Sequence, residues 1–164
     1  MTEEVQGKTY EDGAYKEYEA AGTITPGEGI EISGVDSGNL QVQPVSSVEP
    51  TGASARFAVE QSRPPRAESG GTSPIDQDYE SGENVEARVF DSGEEVENAL
   101  LAAGGDLGTS SEADVSVGDK LAFNDDGTLK EATTAGAEVA VALEANNNSG
   151  ASAGNPVRIR VEVL

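Results

Sequence analysis

The sequence predicts an all-β protein: a small β-barrel or sandwich of short strands joined by hairpins, with at most one short helix and an extended N-terminal arm. Three observations lead there. In the closing run, Val157, Ile159, Val161 and Val163 alternate with Arg158, Arg160 and Glu162, the period of a strand with one dry and one wet face. Lys120-Leu121-Ala122-Phe123 and Thr128-Leu129-Lys130-Glu131 flank Asn124-Asp125-Asp126-Gly127, where the Asp-Gly pair supplies the positive φ of a tight hairpin. A four-residue pattern of glycine, acid, any residue and apolar residue recurs as Gly27-Glu28-Gly29-Ile30, Gly82-Glu83-Asn84-Val85, Gly93-Glu94-Glu95-Val96 and Gly118-Asp119-Lys120-Leu121. Glycine makes the turn, the acid stays in water, and the apolar residue enters the sheet.

Taken in order, residues 1–22 read as the arm and 23–164 as a single β-rich domain with a long loop at 62–78. The arm carries three of the four tyrosines, Tyr10, Tyr15 and Tyr18, among charges and glycines and without a sustained period. Aromatics on a polar arm supply contact area at low entropic cost, so they are either docking groups for a partner or side chains of a solvated tail. Ile30 with Ile32, Leu40 with Val42, and Phe57 with Val59 mark short strands. The Pro-, Ser- and Gly-rich stretch from Ser62 to Asp78 has no period, and a loop of that length is functional or disordered. Arg63 and Arg66 within it, with Arg56 close by, make up half of the arginines. They could meet an acidic partner or pair with the protein's own carboxylates.

Val85, Ala87 and Val89 predict the next strand. Ser92, with Glu95 three positions on, then Val96, Ala99, Leu100 and Ala103 before Gly104-Gly105, satisfies a capping box, a helical stripe and a glycine stop, which predicts the one short helix. Leu121 and Phe123 open the hairpin. Val139, Val141 and Leu143 alternate with alanines in a further strand, and Asn146 to Gly154 turns the chain back into the closing strand.

The composition narrows function. Ten basic and 31 acidic residues give a net charge of -21, which repels nucleic acid and anionic lipid, so neither is an expected partner. Like charges crowd when such a chain compacts, and molar salt, with a screening length of about 3 Å, removes most of that cost. Many acids, few lysines and abundant Ala, Gly and Val resemble proteins of salt-loving microbes. Cysteine and histidine are absent, which removes disulfides, thiolate metal sites and the usual neutral-pH proton shuttle. No apolar run approaches the roughly 20 residues of a membrane helix. Met1-Thr2-Glu3-Glu4 lacks the positive start of a signal peptide, so export by that route is not expected.

No constellation carries catalysis. Carboxylates are so numerous that pairs of the kind a glycosidase needs arise by chance. Asp76, Asp78 and Glu80 alternate in a way that could hold a hard cation, but the glycine and distal glutamate of an EF-hand loop are missing. There is no phosphate-cradling glycine-lysine motif. Lys120 invites comparison with the swinging lysine of carrier domains, yet it enters a strand instead of standing at a hairpin tip. Asn147-Asn148-Ser149 is a glycosylation sequon in a loop. Catalytic, cofactor and metal sites are therefore not expected, and an interaction or structural role is.

The succession Val117-Gly118-Asp119-Lys120-Leu121-Ala122-Phe123, Asp126-Gly127-Thr128-Leu129, Ala140-Val141-Ala142-Leu143-Glu144-Ala145 and Val157 to Leu164, preceded by the arm and Pro26-Gly27-Glu28-Gly29-Ile30, resembles capsid decoration (cement, head-stabilising) proteins of tailed viruses. With the acidic composition, the resemblance implies a virus infecting a haloarchaeon. It implies a homo-oligomer, with a trimer favoured, made in the host cytoplasm and placed on the outer capsid surface. There it would clamp subunits of the major capsid protein, with Tyr10, Tyr15 and Tyr18 of the arm in contact. The long loop departs from the family pattern. A turret, spike or tail component is the neighbouring reading, and a carboxylate-based hydrolase of surface glycans the enzymatic one.

Overall fold

The computed structural model describes residues 14–60 and 73–164, and for residues 14–17 the backbone. The described chain is all-β, and its only helical turns are short 3-10 pieces at Pro74–Asp76, Gly104–Asp106 and Ser110–Ala113. Five strands, β1 (Ala14–Ala20), β2 (Ile30–Asp36), β3 (Asn39–Pro44), β4 (Arg56–Ala58) and β5 (Asn84–Val89), form a sheet in the order β2-β3-β1-β5-β4. The later strands β6 (Glu95–Leu101), β8 (Lys120–Phe123), β9 (Leu129–Glu131), β10 (Ala140–Ala142) and β12 (Val157–Val163) close into a barrel in the order β10-β12-β6-β9-β8. Between them, β7 (Asp114–Val115) and β11 (Asn146–Asn147) pair as a small ribbon.

The glycine-acid pattern marks one repeated device. At all four sites the glycine is left-handed, with φ of +100, +85, +89 and +93° at Gly27, Gly82, Gly93 and Gly118. The acid that follows donates its own N–H to the carbonyl three residues back, closing Thr25–Glu28, Glu80–Glu83, Asp91–Glu94 and Ser116–Asp119. Its carboxylate then accepts the N–H of that same residue, at 2.9, 2.7, 2.6 and 2.7 Å. The geometry is a turn with glycine at its third position, clipped a second time by the acidic side chain. The acids are thus more than solvated spacers, and each turn launches a strand whose apolar residue (Ile30, Val85, Val96, Leu121) is buried.

The closing strand is as its alternation predicts. Ile159, Val161 and Val163 are buried inside the barrel, and the Asp126-Gly127 turn joins β8 to β9 with Phe123 opposite Leu129. In β10 the alanines Ala140 and Ala142 are fully buried, whereas Val141 stays half-exposed. A five-stranded barrel leaves little room along its axis, so the small side chains take the inside.

The predicted helix at Ser92–Ala103 is instead strand β6, paired with β12. Ile159 faces Ala99 and Val161 faces Val96, so Glu97 and Asn98 together oppose the single residue Arg160. Asn98 accommodates this bulge with φ +63°. The extra residue separates the inward-facing Val96 and Ala99 by three positions, and that spacing imitates a helical stripe. The Ser92 signal has a local source too, since Ser92 lies in the Asp91–Glu94 turn.

Sheet and barrel meet along Pro26–Ile30. Gly27 N–H donates to Ala58 O and Gly27 O accepts from Leu100 N–H; Gly29 N–H donates to Gly127 O and Gly29 O accepts from Val45 N–H. Behind this seam Phe57 lies 5.5 Å from Phe123 and 5.9 Å from Phe90, ring centre to ring centre, which joins the barrel interior to the sheet. A second core of Tyr18, Ala20, Ile24, Ile30, Val42, Ala58, Tyr79, Val85 and Ala87 fills the other end of the sheet.

Candidate interaction surface

Strand β1 alters the reading of the arm. Ala14–Ala20, assigned to the arm by sequence, is the middle strand of the five, antiparallel to β5 and parallel to β3. Tyr18 is 4% exposed and belongs to the core, with the Arg56 guanidinium 5.8 Å over its ring. A polar arm with isolated aromatics is locally indistinguishable from a strand whose aromatic packs inward, and only the partners β3 and β5 separate the two. Tyr15 pairs through its backbone with Arg88. Tyr10, Arg63 and Arg66 lie outside the described residues, so Arg56 alone of the three arginines is placed, and it caps a core tyrosine. The later part of the 62–78 loop is built into the body. Pro74–Asp76 is a 3-10 turn whose Ile75 O accepts from Arg158 Nη2 at 2.5 Å, and Asp76 pairs with the same group at 3.2 Å.

Tyr79, overlooked in sequence, is fully buried; its hydroxyl donates to Val59 O and accepts from Glu86 N–H. Burial pushes its phenol well above the usual range.

Two clefts among the described residues border ion-paired cations. One of about 220 Å³ lies between β4 and β6, lined by Phe57, Ile75, Arg88, Phe90 and Asn98. There Arg88 stacks 4.5 Å over Phe90 and pairs with Glu94 at 2.5 Å. A second cleft borders the buried Lys130, which pairs with Glu49 at 2.9 Å and Glu112 at 2.7 Å. Among the described residues Glu28 has the one strongly raised carboxyl: burial pushes it up to about 7, the Thr25 N–H opposes the rise, and Asp126 and Asp78 add to it. Its carboxylate is spent on its own turn and lines neither cleft. Among the described residues no group of three or more potential metal ligands comes together, and Asp76 faces Arg158.

Large apolar side chains well exposed among the described residues are Val48, Val117 and Leu164, and three on one hairpin. On the β2–β3 hairpin, Ile32, Val35 and Leu40 are 48%, 65% and 46% exposed.

No protein-family model matches the sequence, and no curated protein matches it either. Among solved structures the chain is similar to the head fiber gp8.5 N base in bacteriophage phi29, with a TM-score of 0.50 and 15% identity, over 92% of this chain and 97% of that one. At this identity the likeness concerns the fold, and it runs through sheet and barrel together. A protein of a phage head thus shares the architecture that the turns and strands build here.

Proposed function

We propose that this chain is a non-enzymatic structural protein of a tailed-virus head, carried on the outer surface of the shell as a decoration protein that steadies contacts between major capsid subunits. The observation that carries this reading is the near end-to-end match of fold with a head fiber base. The resemblance of the sequence to decoration proteins, drawn from different features, supports the same reading. Several buried and half-buried polar groups, among them Glu28, Glu49 and Lys130, are committed to turns and ion pairs, which supports a structural reading. A net charge of -21 would keep virions hydrated and mutually repelling in brine, which suits a haloarchaeal host. The reading includes a homo-oligomer, with a trimer favoured, and assembly from the host cytoplasm.

The deciding experiment is mass spectrometry of purified virions followed by reconstruction of the particle. The chain is expected among the virion proteins, at symmetry-related positions on the outside of the head. Density confined to a turret, spike or tail would replace decoration with that role. Absence from virions, combined with turnover of host surface polysaccharide by the purified protein, would favour the glycan hydrolase.

A further inference from the structure

The sequon Asn147-Asn148-Ser149 takes a definite geometry in the structure. The chain holds eight asparagines, and Asn147 alone has a Ser or Thr two positions on with no proline between. It lies on β11, the short strand that pairs Asn146 with Val115 and Asn147 with Asp114. Asn147 is exposed, whereas Asn148 and Ser149 are half-buried.

The two neighbouring amides are used differently. The side chain of Asn148 donates to Ala102 O at 3.1 Å and to Asn155 O at 3.0 Å, its N–H donates to Ala113 O, and its carbonyl accepts from Gly104 N–H. The middle of the sequon is thereby fixed to the body. Asn147 stays free for chemistry. Its Oδ1 accepts the Ser149 N–H at 3.1 Å and the Ser149 hydroxyl at 2.6 Å, an Asx turn closed twice. A backbone N–H can only donate, so the oxygen of the amide is the atom held there and Nδ2 is turned away from it. Among the described residues Nδ2 has no hydrogen-bond partner.

A carboxamide nitrogen is a weak nucleophile, because its lone pair is shared with the carbonyl. Donors aimed at the oxygen stabilise the negative charge that gathers there as the nitrogen gives up a proton, and both donors here belong to the residue that the sequon specifies. We propose that Asn147 is a glycosylation site whose Nδ2 accepts a sugar from a glycosyl phosphate donor, either nucleotide-linked or lipid-linked. Nδ2 forms a bond to C1 of the sugar while the bond from C1 to the phosphate oxygen breaks. The phosphate leaves with the bonding pair, and the Nδ2 proton passes to a base of the transferase. Ser149 is a positioning residue, and Asn148 holds the acceptor loop to the body. The inference stands apart from the head-protein reading.

The test uses the full chain purified from its native source and digested with trypsin, which releases residues 131–158 as one peptide. Mass spectrometry with fragmentation that preserves the sugar should find most copies of this peptide carrying a saccharide on Asn147. A single sugar identifies a nucleotide-linked donor, and a preassembled oligosaccharide a lipid-linked one. In variants made in the same cells, Asn147→Gln and Ser149→Ala should lose the added mass completely, and Ser149→Thr, which retains the hydroxyl, should keep it. If a variant fails to fold, the native peptide still decides. A bare peptide from the native source would overturn the proposal, as would a saccharide attached to one of its serines or threonines. Full modification of Ser149→Ala would overturn the positioning role of the hydroxyl.

Discussion

Lys130 and Glu49 stand 81 residues apart in sequence and 2.9 Å apart in space. At 3% and 8% exposure, this is a charge pair held inside the protein. Burial alone would raise the Glu49 carboxyl; hydrogen bonds from Thr134, from the Thr133 N–H and hydroxyl and from Lys130 overcome it and hold the group at about 2. For Lys130 burial works against the charge, and its bonds to Glu112 and Glu49 win, which raises its pKa. The pair fastens the segment after β3, where Glu49 has φ +49°, to β9 of the barrel.

Lys130→Met should therefore destabilise by about 3–5 kcal/mol, because it leaves two carboxylates without their cation. Urea unfolding at pH 7 measures this. A loss under 1 kcal/mol would mean that water already solvates the site. The Glu49 contribution is present above the ordinary carboxylate value of 4.5 and is lost as pH falls toward about 2, so wild type should weaken over that acid range and Glu49→Gln much less.

Glu28 runs the other way. Its carboxyl is raised from 4.5 to about 7, so the folded state favours the proton, and stability is lost as pH rises through that interval. Glu28→Gln keeps an acceptor for the Thr25 N–H and removes the ionisation. Melting curves at pH 4 and pH 8 should show near-equal stability at the lower pH and a variant several degrees more stable at the higher, at roughly 2–4 °C per kcal/mol for a chain of this size. Equal curves at both would place the carboxylate in water.

A β-carbon on Gly29 would lie 2.0 Å from the Phe123 ring, whereas one on Gly34 meets nothing within 4 Å. Gly29→Ala must push Phe123 off Phe57 and open the seam, a loss of about 3 kcal/mol or failure to fold. Gly34→Ala is expected to stay within about 0.5 kcal/mol of wild type. Chemical denaturation of the two side by side checks the contrast.

Tyr18→Ala distinguishes a core residue from a docking group. Removing a buried aromatic costs about 3–5 kcal/mol, and the Arg56 guanidinium over its ring would lose its partner. An unchanged melting temperature would show the ring to be dispensable to the fold.

With a net charge of -21, the melting temperature should rise steeply between 0.1 and 3 M KCl as the screening length contracts to a few ångströms. A flat response would remove the case for adaptation to brine.

What could be read along the chain was whatever local geometry enforces. The glycine-acid turns and the Asp126-Gly127 hairpin were legible because a left-handed residue and its capping acid are neighbours in sequence. The alternation from Val157 to Val163 was legible because its strand has one wet and one dry face. The misreadings occurred where distant contacts decide. The β6 bulge gave Val96 and Ala99 a helical spacing that only the β12 register explains. Tyr18 resembled an arm residue because β3 and β5, which bury it, lie more than twenty and sixty positions away. The Lys130–Glu49 pair and the exposure of Ile32, Val35 and Leu40 were likewise invisible, since the sequence records which residues are apolar or charged, and only the packed body determines where its core ends.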